Sequence, residues 1–168
     1  HAEMQQVAPD VLEIEDADTL EVEVAGVAYR IQLPGVDAPE SVPNPKLLRD
    51  VERTGMDADA LLALGREADR GLREQLTGFV PYSLHFDPEQ RDKYGRVPGE
   101  LHRADGQRLS MSLVEAGYAI PLPGLDPSQQ AELGTAMARA RDERRGLWGS
   151  HPEAFAAWAG PAAVAPAK

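Results

Sequence analysis

Tyr29-Arg30-Ile31-Gln32-Leu33-Pro34-Gly35-Val36-Asp37-Ala38-Pro39-Glu40 is the stretch on which the fold turns. It begins with strand alternation: Tyr29, Ile31 and Leu33 point one way, Arg30 and Gln32 the other. Pro34-Gly35 then ends regular pairing. Beyond it, Asp37 and Glu40 set two carboxylates three residues apart around a proline. Pro39 fixes its own φ and pushes Ala38 away from helical values, so the backbone between the two acids is stiff. A stiff link suits groups that must be held in place. Taken alone, the stretch also reads as a strand end with two solvated acids.

Working outward, Val11–Glu15 reads as a strand and Asp16-Ala17-Asp18 as a turn, although it lacks a glycine. Thr19–Val24 alternates well, and Ala25-Gly26 turns it into the Tyr29 strand, giving a three-stranded meander. Residues 41–56 read as a loop with a charged, helix-compatible patch. From Asp57 the period changes: Leu61, Leu64, Ala68, Leu72 and Leu76 share a helical face, with Asp57 as cap and Gly78 as stop. Gly65 and Gly71 inside that helix each cost about 1 kcal/mol against Ala, so it must lean on tertiary packing. Phe79–Phe86 is the expected fourth strand and Gly99–Arg103 the fifth, separated by a charged loop. A helix over Leu109–Ala116 follows, then a Pro/Gly loop at 121–125. Asp126-Pro127 marks the start of a long helix running to about Arg144. Leu147-Trp148 should fold back on the core. Five strands with about three flanking α-helices make an α+β, mainly β protein: a five-stranded Greek-key barrel of the OB type. The expected organisation is a flexible lead-in over 1–10, one domain over 11–158, and a disordered Ala/Pro tail over 159–168.

Bulk properties narrow the function. The absence of cysteine excludes a disulfide framework and thiolate metal sites. No apolar run is long enough to span a membrane. A net charge of −11 argues against gripping nucleic acid by a broad basic surface, so any work on a polyanion needs a metal ion or a local basic cluster. The chain opens His1-Ala2-Glu3 without an initiating Met, and the expectation is a processed, secreted or periplasmic monomer. Arg139, Arg141, Arg144 and Arg145 read as cations at a helix C-terminus, and His85 and His102 as strand residues.

Three separated pieces carry chemistry: Asp16-Ala17-Asp18-Thr19, Val36-Asp37-Ala38-Pro39-Glu40 and Asp92-Lys93-Tyr94-Gly95-Arg96. With Gly146-Leu147-Trp148 after the long helix, the chain resembles the staphylococcal-nuclease-like (thermonuclease) family over about residues 11–149. The resemblance implies a calcium-dependent phosphodiesterase on an OB barrel, an endonuclease that cuts DNA and/or RNA by metal-assisted attack of water. It assigns Asp18 and Asp37 to a calcium ion, with the backbone carbonyl of Ala38 helping and Asp16 just behind them. Glu40 matches the general base toward the attacking water. Arg96 matches the guanidinium that stabilises charge growing on the phosphate, and Tyr94 and Lys93 match contacts to the nucleotide.

The pattern breaks at one position. The family places a second arginine five residues before Asp37, where this chain has Gln32. Loss of such a donor typically costs about 10²- to 10³-fold in rate. Arg30, two residues earlier on the same strand face, is the possible substitute, but Gly35 aligns with the family's glycine and favours plain replacement by Gln32. The competing reading is therefore a catalytically impaired nuclease-like domain that binds protein or nucleic acid without cutting. That reading accounts for Gln32 and the acidic balance, but not for an intact set of Asp18, Asp37, Glu40 and Arg96.

Overall fold

The computed structural model describes residues 5–78 and 81–164. In chain order the strands and helices are β1 (Gln5–Val7), β2 (Asp10–Asp16), β3 (Thr19–Val24), β4 (Val27–Gln32), β5 (Val36–Asp37), α1 (Pro45–Thr54) and α2 (Ala58–Thr77). They continue with β6 (Tyr82–Phe86), β7 (Arg96–Arg103), α3 (Leu109–Glu115), β8 (Ile120–Pro121), α4 (Pro127–Asp142), α5 (Leu147–Ser150), α6 (Pro152–Ala159) and α7 (Pro161–Val164). The main sheet runs β1-β6-β7-β4-β3-β2, and β5 pairs with β8. β4 and β7 pair in parallel and the other neighbours are antiparallel. The five principal strands β2, β3, β4, β6 and β7 form the OB barrel.

The two edges of this sheet, β1 and β2, are consecutive in the chain, with only Ala8-Pro9 between them. One bent segment therefore lies against β6 through Gln5–Val7 and against β3 through Asp10–Asp16. Gln5–Val7 is thus a strand where the sequence suggests a flexible lead-in; residues 1–4 lie outside the described residues. Inside the barrel, strand alternation sends Leu20, Val22, Ile31, Leu84, Phe86, Val97 and Leu101 into the core. Leu61, Leu64, Ala68 and Leu72 of α2 are buried on the expected face.

Four local readings are corrected. β7 starts at Arg96, three residues before the expected Gly99, because Arg30 pairs with Arg96 across the parallel ladder. Residues 45–54, read as part of a loop, are the helix α1: Asn44 Oδ1 accepts from the Leu47 N–H at 2.8 Å, Pro45 sits in the first turn, and Gly55 closes it at φ 71°. Within the expected loop 121–125, Pro121 ends β8 and pairs with Val36. Much of the expected disordered tail is helical: α6 ends at Ala159 and α7 spans Pro161–Val164, each with a proline at its start. Residues 165–168 of that tail, and Phe79 and Val80 of the expected fourth strand, lie outside the described residues. Among the described residues there are thus more helices than the expected three, and none is long and apolar enough to cross a membrane.

Candidate active site

The β2–β3 turn and the segment after β4 are tied together by Asp18. Its backbone carbonyl accepts from Leu33 N–H at 2.8 Å, and its Oδ2 accepts from Ala38 N–H at 3.2 Å. Its Oδ1 accepts from the Thr19 hydroxyl at 3.1 Å, while Asp16 Oδ1 caps the turn by accepting from Asp18 N–H at 3.2 Å. Ala17 is fully buried and is not among the residues with positive φ, so the turn does without glycine. Asp37 follows from the end of β5, and Glu40 follows from the stiff Ala38-Pro39 link.

Helix α2 fixes Glu40 from below. A Cβ added at Gly65 would lie 2.0 Å from the Glu40 carbonyl oxygen, so only glycine lets the helix backbone come this close. This contact is the tertiary return for a residue that costs the helix intrinsic stability. Gly71 does the same beneath the ring of Tyr118, where a Cβ would sit 2.5 Å away.

The acids are crowded and dry. Burial first, and then the neighbouring Asp18, pushes Asp16 up to about 8. Burial and then the facing Asp16 push Glu40 up to about 7. Burial raises Asp18 and Asp37 as well; the Asp16 hydrogen bond opposes the shift at Asp18 and Lys46 opposes it at Asp37, while the charge of Glu40 adds to both. Glu40 Oε2 is buried with no hydrogen-bond partner. Such a cluster calls for positive charge.

Lys46, which the sequence reading does not single out, supplies some of it. Its Nζ lies 3.1 Å from Asp37 Oδ1, 3.5 Å from Glu40 Oε1 and 3.5 Å from Asp50 Oδ2. Burial works to lower the Lys46 pKa, but the charges of Asp37, Glu40 and Asp50 outweigh it and raise it. Asp50 is itself held by Arg53 at 3.2 Å and by Trp158 Nε1 of α6 at 3.3 Å. The Asn44-Pro45 start signal, with Lys46 and Asp50 four residues apart on one helical face, is the sequence cue to this feature.

The guanidinium groups come from the facing wall. Asp92 Oδ1 accepts from the N–H groups of Tyr94 and Arg96, each at 2.8 Å, and its Oδ2 holds Arg96 Nε at 2.8 Å. Arg30 forms a two-point pair with Glu15, at 2.6 and 2.8 Å, and donates to the Tyr94 carbonyl at 2.5 Å. Asp16, Glu40, Lys46, Arg30, Arg96 and the exposed Tyr94 all line one cleft of 390 Å³. Gln32 is not part of its wall; it sits half-buried at the end of β4, paired with Thr19 and Pro98. Lys93 is exposed and lies 5.2 Å over the Tyr94 ring, outside the wall of the cleft. Asp18, Asp37 and the buried Ala38 are not part of the cleft wall. The rings of His85 and His102 lie 3.9 Å apart, tilted by 36°, toward the other end of β7, on a separate cavity of 440 Å³.

The donor set fits a hard cation such as calcium, since Asp16, Asp18, Asp37 and Glu40 offer oxygen only and Glu40 Oε2 lacks a partner. Among the described residues, however, no three acids or histidines are spaced as a ready-made metal cage. Lys46 and internal hydrogen bonds already use several of the oxygens.

An OB barrel with a carboxylate cluster and three arginines, Arg30, Arg49 and Arg96, lining one cleft defines a class of small acid-and-guanidinium-bearing barrel proteins. Within it, the chain belongs to the staphylococcal nuclease homologue family, whose profile matches residues 30–150. It is 32% identical over 138 residues to the succinoglycan biosynthesis protein ExoI of Rhizobium meliloti, covering 82% of this chain and 63% of that protein. It is 31% identical over 140 residues to an uncharacterised endonuclease of Escherichia coli, covering 82% of this chain and 74% of the relative. A third similarity, 29% over 141 residues, is to endonuclease YhcR of Bacillus subtilis, where it covers 79% of this chain and 11% of that longer protein. The chain thus spans under two thirds of the first of these relatives and about a ninth of the third.

Proposed function

We propose that this cleft hydrolyses phosphodiester bonds in DNA or RNA with the help of a calcium ion. The observation that carries the reading is the unpartnered Glu40 Oε2, buried in an acid cluster and facing Arg30 and Arg96 across one cleft. The names of the relatives from Escherichia coli and Bacillus subtilis support the same chemistry. Asp18, Asp37 and Glu40 are the residues that would hold the ion; when bound, it neutralises phosphate charge and lowers the pKa of an attacking water.

The chain's own groups do the rest. Glu40, buried beside Asp16 and lining the cleft, is the group placed to take a proton from the attacking water. The water oxygen attacks phosphorus, its proton passes to Glu40, and the ester P–O bond opposite breaks, its electron pair leaving on the ester oxygen, which takes a proton from solvent. Arg96 is aimed by Asp92 and Arg30 by Glu15, so both guanidinium groups are set before substrate arrives. Tyr94 presents its ring at the cleft mouth, beside Arg96 at 5.2 Å.

Single-stranded DNA and RNA should be cut with calcium and spared with chelator, and Glu40→Gln should lower the rate at least about 10²-fold. Binding without cutting, in both proteins and at low salt, would replace this reading with the binding module. The ion pairs already held by both arginines are what favours that second reading.

A further inference from the structure

Lys46 projects from the first turn of α1 and brings one ammonium against three carboxylates that arrive from different parts of the chain. Asp37 comes from β5, Glu40 from the Pro39 link, and Asp50 from the next turn of the same helix. An ammonium carries three N–H donors, so it can serve all three acids at once. Glu40 is only 7% exposed and Asp50 likewise, so neither charge is left to solvent. On another side, the Lys46 Nζ lies 5.7 Å from the centre of the Trp158 ring, and the Trp158 N–H donates to Asp50. The lysine is therefore fixed by three acids and an aromatic face.

We propose that Lys46 is a tethered counter-ion: it offsets part of the charge of the metal-free acid cluster and competes with a divalent cation for Asp37 and Glu40. This rests on the calcium reading above. The physical reason is that buried carboxylates without a cation repel one another and resist ionisation, so a chain that folds before meeting metal needs a cation of its own. The same ammonium must swing out, or share its acids, when a divalent ion enters. The arrangement exchanges metal affinity for stability of the metal-free fold. Glu40 Oε2, which Lys46 leaves unpartnered, is the oxygen that remains available to an incoming ion.

The test uses the full chain with calcium as the probe, by calorimetric titration and by thermal unfolding in chelator. Lys46→Met should bind calcium at least tenfold more tightly than the parent and should unfold at lower temperature in chelator. Lys46→Arg, which keeps the charge, should restore the weaker parental affinity, a reversal that loss of packing alone does not produce. Should Lys46→Met fail to fold without metal, Lys46→Gln keeps an N–H donor without charge and is titrated instead. Equal or weaker calcium binding by the neutral variants overturns the proposal, even if the parent cuts DNA with calcium. Tighter binding by the neutral variants upholds it, even if no protein in the series cuts. No calcium binding by any variant in the millimolar range overturns it as well.

Discussion

Replacing Gly65 by Ala separates two effects that the sequence alone would merge. On helix propensity, a glycine inside α2 should improve by about 1 kcal/mol on becoming alanine. The structure predicts the opposite sign. The new methyl would lie 2.0 Å from Glu40 O, 2.2 Å from Glu40 C and 2.6 Å from Ser41 N, all backbone atoms that no rotamer change can move. Carbon contacts settle near ~3.5 Å, so helix and loop must part by roughly 1 Å or more. Overpacking of this kind costs about 1–3 kcal/mol, leaving a net loss of up to about 2 kcal/mol after the propensity gain. A displacement of about 1 Å at a catalytic group can cost about 10²-fold in rate. Gly134 is the internal control: it lies within α4 and its added Cβ would meet nothing within 4 Å. Gly134→Ala should therefore gain about 0.5–1 kcal/mol, raising Tm by about 1–4 °C. Both variants are measured by thermal unfolding and by calcium-dependent cleavage of single-stranded DNA. If Gly65→Ala is as stable as Gly134→Ala and cuts at the parental rate, the account of how Glu40 is held is wrong.

Two further outcomes follow from particular side chains. Because Arg30 lines the cleft and Gln32 does not, Arg30→Ala should lower cleavage by about 10²-fold while Gln32→Arg changes it little; the reverse pattern in parallel kinetics would restore Gln32 to the family arginine's place. Away from the cleft, burial pushes Glu100 up to about 7 from an ordinary value of 4.5, and its Oε1 accepts from Ser110 N–H while Oε2 has no partner. The folded state then holds a proton that the unfolded chain releases, so stability falls as pH rises from about 4.5 through 7, by up to about 3 kcal/mol. Glu100→Gln keeps the Ser110 bond, should flatten that part of the decline, and is read by denaturant unfolding at pH 5 and 8; an unchanged slope refutes the assignment.

What was legible in the sequence was local. Leucines at helical spacing and the Asp57 cap mark α2, Asp126-Pro127 marks α4, and Thr19–Val24 is bounded as its alternation suggests. What was not legible depends on partners far along the chain. Arg96–Pro98 looks like charged loop until β4 lies alongside it, because a parallel ladder leaves no hairpin signal. Asn44-Pro45 carries the same start signal as Asp126-Pro127, but the helix it opens is short and its apolar face sparse, so the run reads as loop. At the site, residue types and order point to Asp18, Asp37, Glu40 and Arg96, of which Glu40 and Arg96 line the cleft; spacing points to Gln32, whereas geometry brings Arg30 to the cleft. Spacing gives Lys46 only its i,i+4 partner Asp50; Asp37, Glu40 and Trp158 reach it from outside α1 and leave no local signal.

The single bent segment that meets β6 on one side and β3 on the other has a consequence for handling the molecule. Unpaired backbone along a sheet margin is a template on which other chains can add strands. Here the margin of β6 is covered by only the short run Gln5–Val7. Trimming those residues, or pulling them away with an appended tag, would uncover Leu84–Phe86 as a naked rim. Loss of solubility over time is then expected before loss of the folded core, with light scattering rising while the far-ultraviolet spectrum stays unchanged.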